Sequence, residues 1–403
     1  MLTAGVPAET FPDERRVALT PESVSRLGER VRVAVESNAG AGAGFGDEEF
    51  AAAGAGIAAS RSDLFAGADV ILQVRTHGAN PGGGDLELLR PGQAVLGFAE
   101  PLEAHGAIEA VAAAGARLFA VELMPRTTRA QSMDALSSMA TIAGYKAVLL
   151  AAAELPRMFP LMMTAAGTVR PARVLVIGAG VAGLQALATA KRLGAVVMGY
   201  DVRPAVREQV ESLGAEFVEL DLEAEDAEGA GGYARAQDAG FYRRQQEALG
   251  EVVAGCNAVI TTAAVPGSRA PVLIPRQAVE AMAPHSVIVD LAAERGGNCE
   301  LTRAGETVDH GGVRILGPAN LPATVPYHAS QMYSGNLAAF LTHLLDEEGR
   351  LQLDPADGIA AATLVTSGGR IVSGRVLEAM GRTPAGQPGA TDPAAPASPK
   401  GDG

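Results

Sequence analysis

Three glycines and one carboxylate carry the clearest chemistry in this chain. Gly178, Gly180 and Gly183 spell G-x-G-x-x-G between an apolar run, Val174 to Ile177, and an alanine-rich helical segment that closes at Gly194. A second apolar run, Ala195 to Tyr200, ends on Asp201, about twenty residues past the glycines, where a dinucleotide fingerprint has its acidic residue. Each part has a physical job. Gly178 permits the tight turn, Gly180 lets the backbone approach a pyrophosphate, and Gly183 lets the helix sit close on the sheet. A diphosphate then rests on N–H groups at the positive end of the helix dipole. Asp201 is placed to accept hydrogen bonds from both ribose hydroxyls. It would repel a 2′-phosphate that Arg203 would attract, and because the carboxylate is the better-placed group, the pattern favours NAD(H) over NADP(H). The bland alternative is a glycine-rich turn in an α/β sheet that holds no ligand.

The remaining reactive side chains restrict the chemistry further. Lysine occurs only at Lys146, Lys191 and Lys400, so no lysine is available in the first third of the chain. Cys256 and Cys299 form no ligand cluster or disulfide framework and read as small buried apolar residues. His105, His285, His310, His328 and His343 show no metal-ligand spacing, and no metal is expected. Glu122 and Glu294 are flanked by apolar residues; they line a cleft or make structural ion pairs.

The elements that must position these residues follow from the apolar pattern. Residues 1 to about 130 alternate apolar strands with helical segments. Runs at Val31 to Glu36, Ala68 to Val74, Ala94 to Phe98 and Arg117 to Val121 are the strands, and Glu103 to Ala114 is a helix. Thr20 is the expected N-cap of an early helix with Pro21 at its first position. Such alternation implies a parallel sheet with helices on both faces. Pro125 then breaks the chain. The polar run Arg126, Thr127, Thr128, Arg129, Gln131 and Asp134, with Ser137 beyond it, enters a long helix ending near Pro156, the natural bridge between two domains. Later strands are expected at Glu216 to Glu219, Ala258 to Thr261, Ser286 to Asp290 and Arg314 to Leu316. Between them lies an acidic, glycine-rich insertion around Gly231, Gly232 and Tyr233, read as a mobile loop that either has no role or folds over bound cofactor. The helix after Pro326 returns to the first domain. The resulting fold class is α/β, two doubly wound, parallel-sheet, Rossmann-like domains with a cofactor cleft between them: residues 1–133 plus 327–382, residues 134–326, and a disordered tail at 383–403.

Composition agrees with this plan. The chain has 403 residues, 48% of them hydrophobic, and 32 basic against 46 acidic residues give a formal charge of −14. That balance argues against nucleic acid or an anionic membrane surface as the main partner. The N-terminus lacks a signal-peptide pattern. The longest apolar runs, Ala147 to Ala153 and Leu337 to Leu345, fall short of the roughly 20 residues a spanning helix needs, so a soluble, cytoplasmic chain without direct membrane insertion is expected.

The stretches GVPAETFPDERRVALTPE, ELMPRTTRAQSMDALSS, MMTAAGTV, GAGVAGLQALATAKRLGAVV, ITTAAVPG, DLAAERGGN and NLAAFL together resemble the family of alanine dehydrogenases and pyridine nucleotide transhydrogenases. The run MPRTTRAQSMDALSS and the segment AGGYA resemble its transhydrogenase branch. The resemblance implies that Arg126, Gln131, Asp134 and Ser137 hold the nicotinamide end, with Arg126, Gln131 and Asp134 orienting the reacting ring and Thr127, Thr128 and Arg129 contributing to the same loop. It implies Asp201, Val202 and Arg203 at the adenosine end, Val181 and Ala264 as an apolar sandwich around it, and Gly232 with Tyr233 as the mobile loop. By the same resemblance the chain is a peripheral NAD(H)-binding component on the cytoplasmic face. It would act as a homodimer, with NADP(H) on a membrane β subunit and with a small membrane α subunit beside it.

The chemistry separates the two branches. Oxidising an amino acid removes a proton as well as a hydride and leaves a carboxylate to be held, so it needs a base and a cationic anchor. The family's amino-acid enzymes place a Lys and a His at positions that fall here at Gln73 and about Ala99. Arg15 is retained, and Arg75 or His77 could stand in. Hydride transfer between two nicotinamide rings moves no proton on or off a heteroatom; it needs orientation, close approach and exclusion of water. The sequence therefore favours transhydrogenation, with an alanine dehydrogenase-like enzyme and a non-catalytic NAD-binding regulatory module as the alternatives.

Overall fold

Alternating apolar runs and helical segments build two separate sheets rather than one. The structure, a computed structural model, describes residues 1–220, 239–264, 267–352, 354 and 356–382. Toward the N-terminus β1 (Leu2–Val6), β2 (Val31–Glu36), β3 (Gly56–Ala58), β4 (Val70–Arg75), β5 (Ala94–Phe98) and β6 (Arg117–Ala120) run parallel in the order β3-β2-β1-β4-β5-β6. Their near-continuous burial, as in BBBBBi along β4, is what a sheet covered on both faces requires. A short hairpin, β7 (Met162–Thr164) with β8 (Gly167–Val169), stands by itself with every residue exposed.

The second sheet contains β9 (Arg173–Ile177), β10 (Val196–Tyr200), β11 (Glu216–Phe217), β12 (Ala258–Thr261), β13 (Val287–Asp290), β14 (Thr307–His310) and β15 (Val313–Leu316), ordered β11-β10-β9-β12-β13-β15-β14. All neighbours are parallel except β14 against β15. Finally β16 (Leu364–Ser367) joins β6 antiparallel and β17 (Arg370–Ile371) extends that edge. The sequence pattern anticipates the central strands of both sheets. It misses β3, the β7–β8 hairpin, β14, β16 and β17, which are short, exposed or at sheet edges.

Two helices carry the chain between the sheets. The bridging helix, Ala135–Glu154, buries Ala135, Met139 and Ile142 in the first core and Ala147, Val148 and Ala151 in the second. At its middle, a Cβ on Gly144 would lie 2.0 Å from the Ala182 carbonyl oxygen, so only glycine allows it to press on the first turn of the helix after β9. This helix is long and apolar enough to cross a membrane, a property that unbroken apolar runs alone do not reveal. Its apolar side chains are shared between the two cores. The return helix, Pro326–His343, inserts Tyr333, Leu337, Phe340 and Leu341 into the first core. Thr20 is the N-cap of its helix as expected, yet its side chain makes no capping bond: its hydroxyl and backbone N–H both meet Ser334 Oγ on the return helix.

Candidate functional site

The fingerprint turn occupies the point where strand order reverses in the second sheet. β9 lies between β10 and β12, so the chain leaves β9 to one side and later returns to the other, opening a crevice at the strands' carboxyl ends. Gly178 has φ +94°, and a Cβ there would sit 2.7 Å from Thr262 Oγ1, which itself donates to the Gly178 carbonyl at 2.8 Å. A Cβ on Gly183 would sit 1.8 Å from that same carbonyl oxygen. Gly180, the N-cap of the helix Val181–Arg192, differs: a Cβ there would meet no heavy atom within 4 Å. Protein packing thus demands glycine at the first and third positions and leaves open space at the second. That space, beside first-turn N–H groups preceding the Leu184-to-Gly180 helical bond, fits a pyrophosphate.

Asp201, just past the end of β10, is buried and accepts from the Ala179 N–H at 2.8 Å, which ties the strand end to the glycine turn. Arg203 folds back on it, with Nε 2.8 Å from Oδ1 and a terminal nitrogen 2.7 Å from Oδ2. Val181 is 36% exposed at the first helical turn, Ala264 is exposed beyond β12, and Val202 is half-buried. Gly232 and Tyr233 lie outside the described residues.

The floor of the crevice is set by residues that no sequence motif marks. Asp290 is fully buried and accepts from Thr261 and Thr302 hydroxyls and from the backbone N–H groups of Ala292, Asn298 and Cys299. Asn298, so positioned, bonds both the N–H and the carbonyl of Ala263. The carboxylate is thereby stabilised by donors alone, and the loop after β12 is fixed beside the glycine turn. Cys256 and Cys299 are buried, and burial pushes both thiols up to about 11, consistent with inert packing roles.

On the opposite side, Arg126, Thr127, Thr128, Arg129 and Gln131 lie along the loop before the bridging helix, Arg126 half-buried and the rest exposed. Arg129 pairs with Asp357. Asp134 is the N-cap of the bridging helix, accepting from the Ser137 N–H at 2.9 Å and from its hydroxyl at 2.5 Å. Two of the expected nicotinamide-end residues therefore already satisfy each other as a cap.

The first sheet has its own strand-order reversal, between β1 and β4, and that crevice is filled by protein. Glu9 reaches in and accepts from the Val74 and Arg75 N–H groups. Burial raises its carboxyl to about 8, the charge of Glu14 adding to the rise and the Val74 hydrogen bond opposing it. Glu14 takes a bidentate pair from Arg16, a contact from Arg75 at 3.4 Å and a bond from Asn320 at 2.9 Å. Burial works against its charge, but Arg16 outweighs burial and holds the carboxyl below its usual range. Arg75 also stacks on Phe11. The buried arginine of this segment is Arg16, while Arg15 is exposed. His77 borders a cavity of about 10 Å³ lined also by Gln73 and Asp85; its Nδ1 is buried without a hydrogen-bond partner, and burial lowers its pKa, partly offset by the Asp85 charge.

Several contacts join the two sides of the cleft. Arg295 pairs with Glu100 and Glu103, Arg314 with Glu154 on the bridging helix, and Asn320 with both Glu14 and Arg16. Glu100 has φ +47°, and its N–H and that of Ala99 both donate to Glu122 Oε1. Glu122 Oε2 is buried with no hydrogen-bond partner, and burial, reinforced by the Glu100 charge, raises this carboxyl to about 7. Glu294 accepts from the Asn320 N–H.

A two-sheet fold of this topology, with a glycine turn and an acidic strand end at the second reversal point, defines a dinucleotide-binding dehydrogenase class. The model for the alanine dehydrogenase/PNT N-terminal domain matches residues 5–143, and that for the C-terminal domain matches residues 147–374. The chain belongs to the alanine dehydrogenase/PNT family. It is 47% identical over 371 residues to the first of the separate chains that form NAD(P) transhydrogenase subunit alpha in Rhodospirillum rubrum, covering 91% of this chain and 97% of that one. A crystal structure of transhydrogenase from Sinorhizobium meliloti superposes with a TM-score of 0.82 at 44% identity, covering 92% of this chain and 100% of that one. Similarity to alanine dehydrogenase of Mycobacterium tuberculosis is lower, 29% over 389 residues, covering 94% of this chain and 97% of that one.

Proposed function

We propose that this chain is the NAD(H)-binding component of a proton-translocating transhydrogenase, passing hydride to NADP⁺ held on a partner subunit. The observation that carries the reading is the contrast between the two crevices. The second-sheet crevice keeps open space at Gly180 beside helical N–H groups, while the first-sheet crevice has Arg16 and Arg75 both bound to Glu14 and holds Gln73 where a lysine would anchor a substrate carboxylate. An amino-acid dehydrogenase needs that anchor and a base; ring-to-ring transfer needs neither.

In this reading, NAD(H) supplies a hydride at its nicotinamide ring. Gly178, Gly180 and Gly183 hold the diphosphate, Asp201 takes the ribose diol, and Val181, Val202 and Ala264 flank the adenine. Arg126, Thr127, Thr128, Arg129, Gln131, Asp134 and Ser137 face the nicotinamide end and set its orientation. Gly232 and Tyr233 belong to the same site. The domains divide at 1–133 plus 327–382 and at 134–326. NADP(H) and the proton path lie on membrane partners, a β subunit and a small α subunit, that hold this chain at the cytoplasmic face. A homodimer would give the exposed hairpin, with Leu161, Met162, Met163 and Val169 outward, an apolar surface to cover.

The test supplies NADH with pyruvate and ammonium in one assay. In another it supplies NADH, an oxidised NADP analogue and a soluble NADP(H)-binding partner domain. Oxidation confined to the second supports the proposal. Oxidation in the first assigns the chain to the amino-acid enzymes, and saturable NADH binding with no transfer in either assigns it to regulatory binding modules.

A further inference from the structure

Asp201 has no free acceptor position for a ribose. A carboxylate offers about four lone-pair sites, and here Oδ1 takes the Arg203 backbone N–H and Nε, while Oδ2 takes the Ala179 N–H and an Arg203 terminal nitrogen. Two of these bonds come from backbone and are integral to the turn. The other two come from one guanidinium, one to each oxygen, as the two hydroxyls of a ribose diol would bind. We propose that Arg203 is a built-in competitor for the adenosine ribose: its fork occupies Asp201 in place of the 2′- and 3′-hydroxyls and must swing away when an NAD-type nucleotide binds.

The inference rests on the NAD(H) reading of the crevice and adds a specificity determinant to it. The side chains of Arg203 and Asp201 are only 13% and 5% exposed, so the pair is weakly screened by solvent. A nucleotide that must displace it binds with an affinity reduced by the fraction of chains in which the fork is open. The same guanidinium compensates the carboxylate that would repel a 2′-phosphate. Arg203 therefore narrows the preference for NAD(H) over NADP(H) from both directions: it weakens the first and tolerates the second.

The experiment titrates the purified full chain and its Arg203→Met variant with NADH, NADPH and reduced nicotinamide mononucleotide, which lacks the adenosine half. The expected result is NADH binding about tenfold tighter in the variant, equivalent to ~1.4 kcal/mol. NADPH binding should weaken, and mononucleotide binding should stay unchanged. Arg203→Lys, which keeps the charge and loses the fork, should fall between the two proteins, and it keeps the test decisive if the methionine variant folds poorly. NADH binding that is unchanged or weaker in Arg203→Met overturns the competitor role and makes Arg203 a cofactor contact. Absence of saturable NADH binding by the unaltered chain overturns the NAD(H) reading itself, and this inference with it.

Discussion

Glu122→Gln isolates the cost of keeping one carboxyl buried beside the cleft. Glu122 has Oε1 on two backbone N–H groups and Oε2 buried without a partner, and its pKa stands at about 7 against an ordinary value of 4.5. Because the folded value is raised, the unfolded chain releases this proton first as pH increases. Between the two pKa values the folded state binds more protons, so stability falls with rising pH, by about 1.4 kcal/mol per pH unit. The loss begins near pH 4.5, is complete just above pH 7 and amounts to at most about 3 kcal/mol. Glutamine keeps the Oε1 acceptor and removes the titration. The assay is urea unfolding of both proteins from about pH 4.5 to 8. The difference between the two stability curves should slope steadily between about pH 5 and 7 in favour of the variant and flatten beyond. Glu9, whose raised carboxyl acts in the same direction up to about pH 8, is common to both proteins and cancels. The unpaired glutamine amide shifts the difference curve by a constant without changing its slope. Parallel curves across the whole range would refute the claim that Glu122 is held protonated by burial.

Three other outcomes follow from the site. Gly183→Ala forces a Cβ against the Gly178 carbonyl, so it should cost about 1–3 kcal/mol of stability and abolish NADH binding, read by thermal melting and fluorescence titration. Asp134→Ala should lose about 1 kcal/mol as a helix cap, whereas Asp134→Asn keeps the cap. If Asp134→Asn melts normally yet slows hydride transfer at saturating NADH, the carboxylate orients the ring; normal transfer confines Asp134 to capping. Asp290→Ala strands five buried donors and should destabilise by about 3 kcal/mol or more, with partial recovery in Asp290→Asn, measured by denaturant midpoint.

The central architecture was legible because buried parallel strands are written as apolar β-branched runs, as in Val174 to Ile177. The glycine turn was legible because each of its positions answers a local steric demand. Edge strands were not: Arg370–Ile371 gains its partner only from Leu364–Ser367, itself placed by β6 more than two hundred residues earlier in the chain. The clamp around Glu14 was hidden for the same reason, since Asn320 reaches it across 306 positions of sequence. Asp134 shows a different limit. Its motif pointed to a ligand, and the spacing Asp134–Ser137 is also that of a helix cap, which the apolar segment after it would have suggested. Arg203 was seen as a charge, but its return onto Asp201 depends on backbone geometry that composition does not encode.

The two helical crossings between the sheets, Ala135–Glu154 outward and Pro326–His343 back, have a mechanical consequence. A body tethered to another by one segment can swivel freely about that tether. Two stiff tethers abolish the swivel and leave rotation about the line that joins them. Opening and closing of this molecule is thereby reduced to one degree of freedom, as in a door hung on two pins. Any group at the mouth, such as the Arg295 and Glu100 pair, then travels along a fixed arc and meets its partner in the same orientation on every stroke.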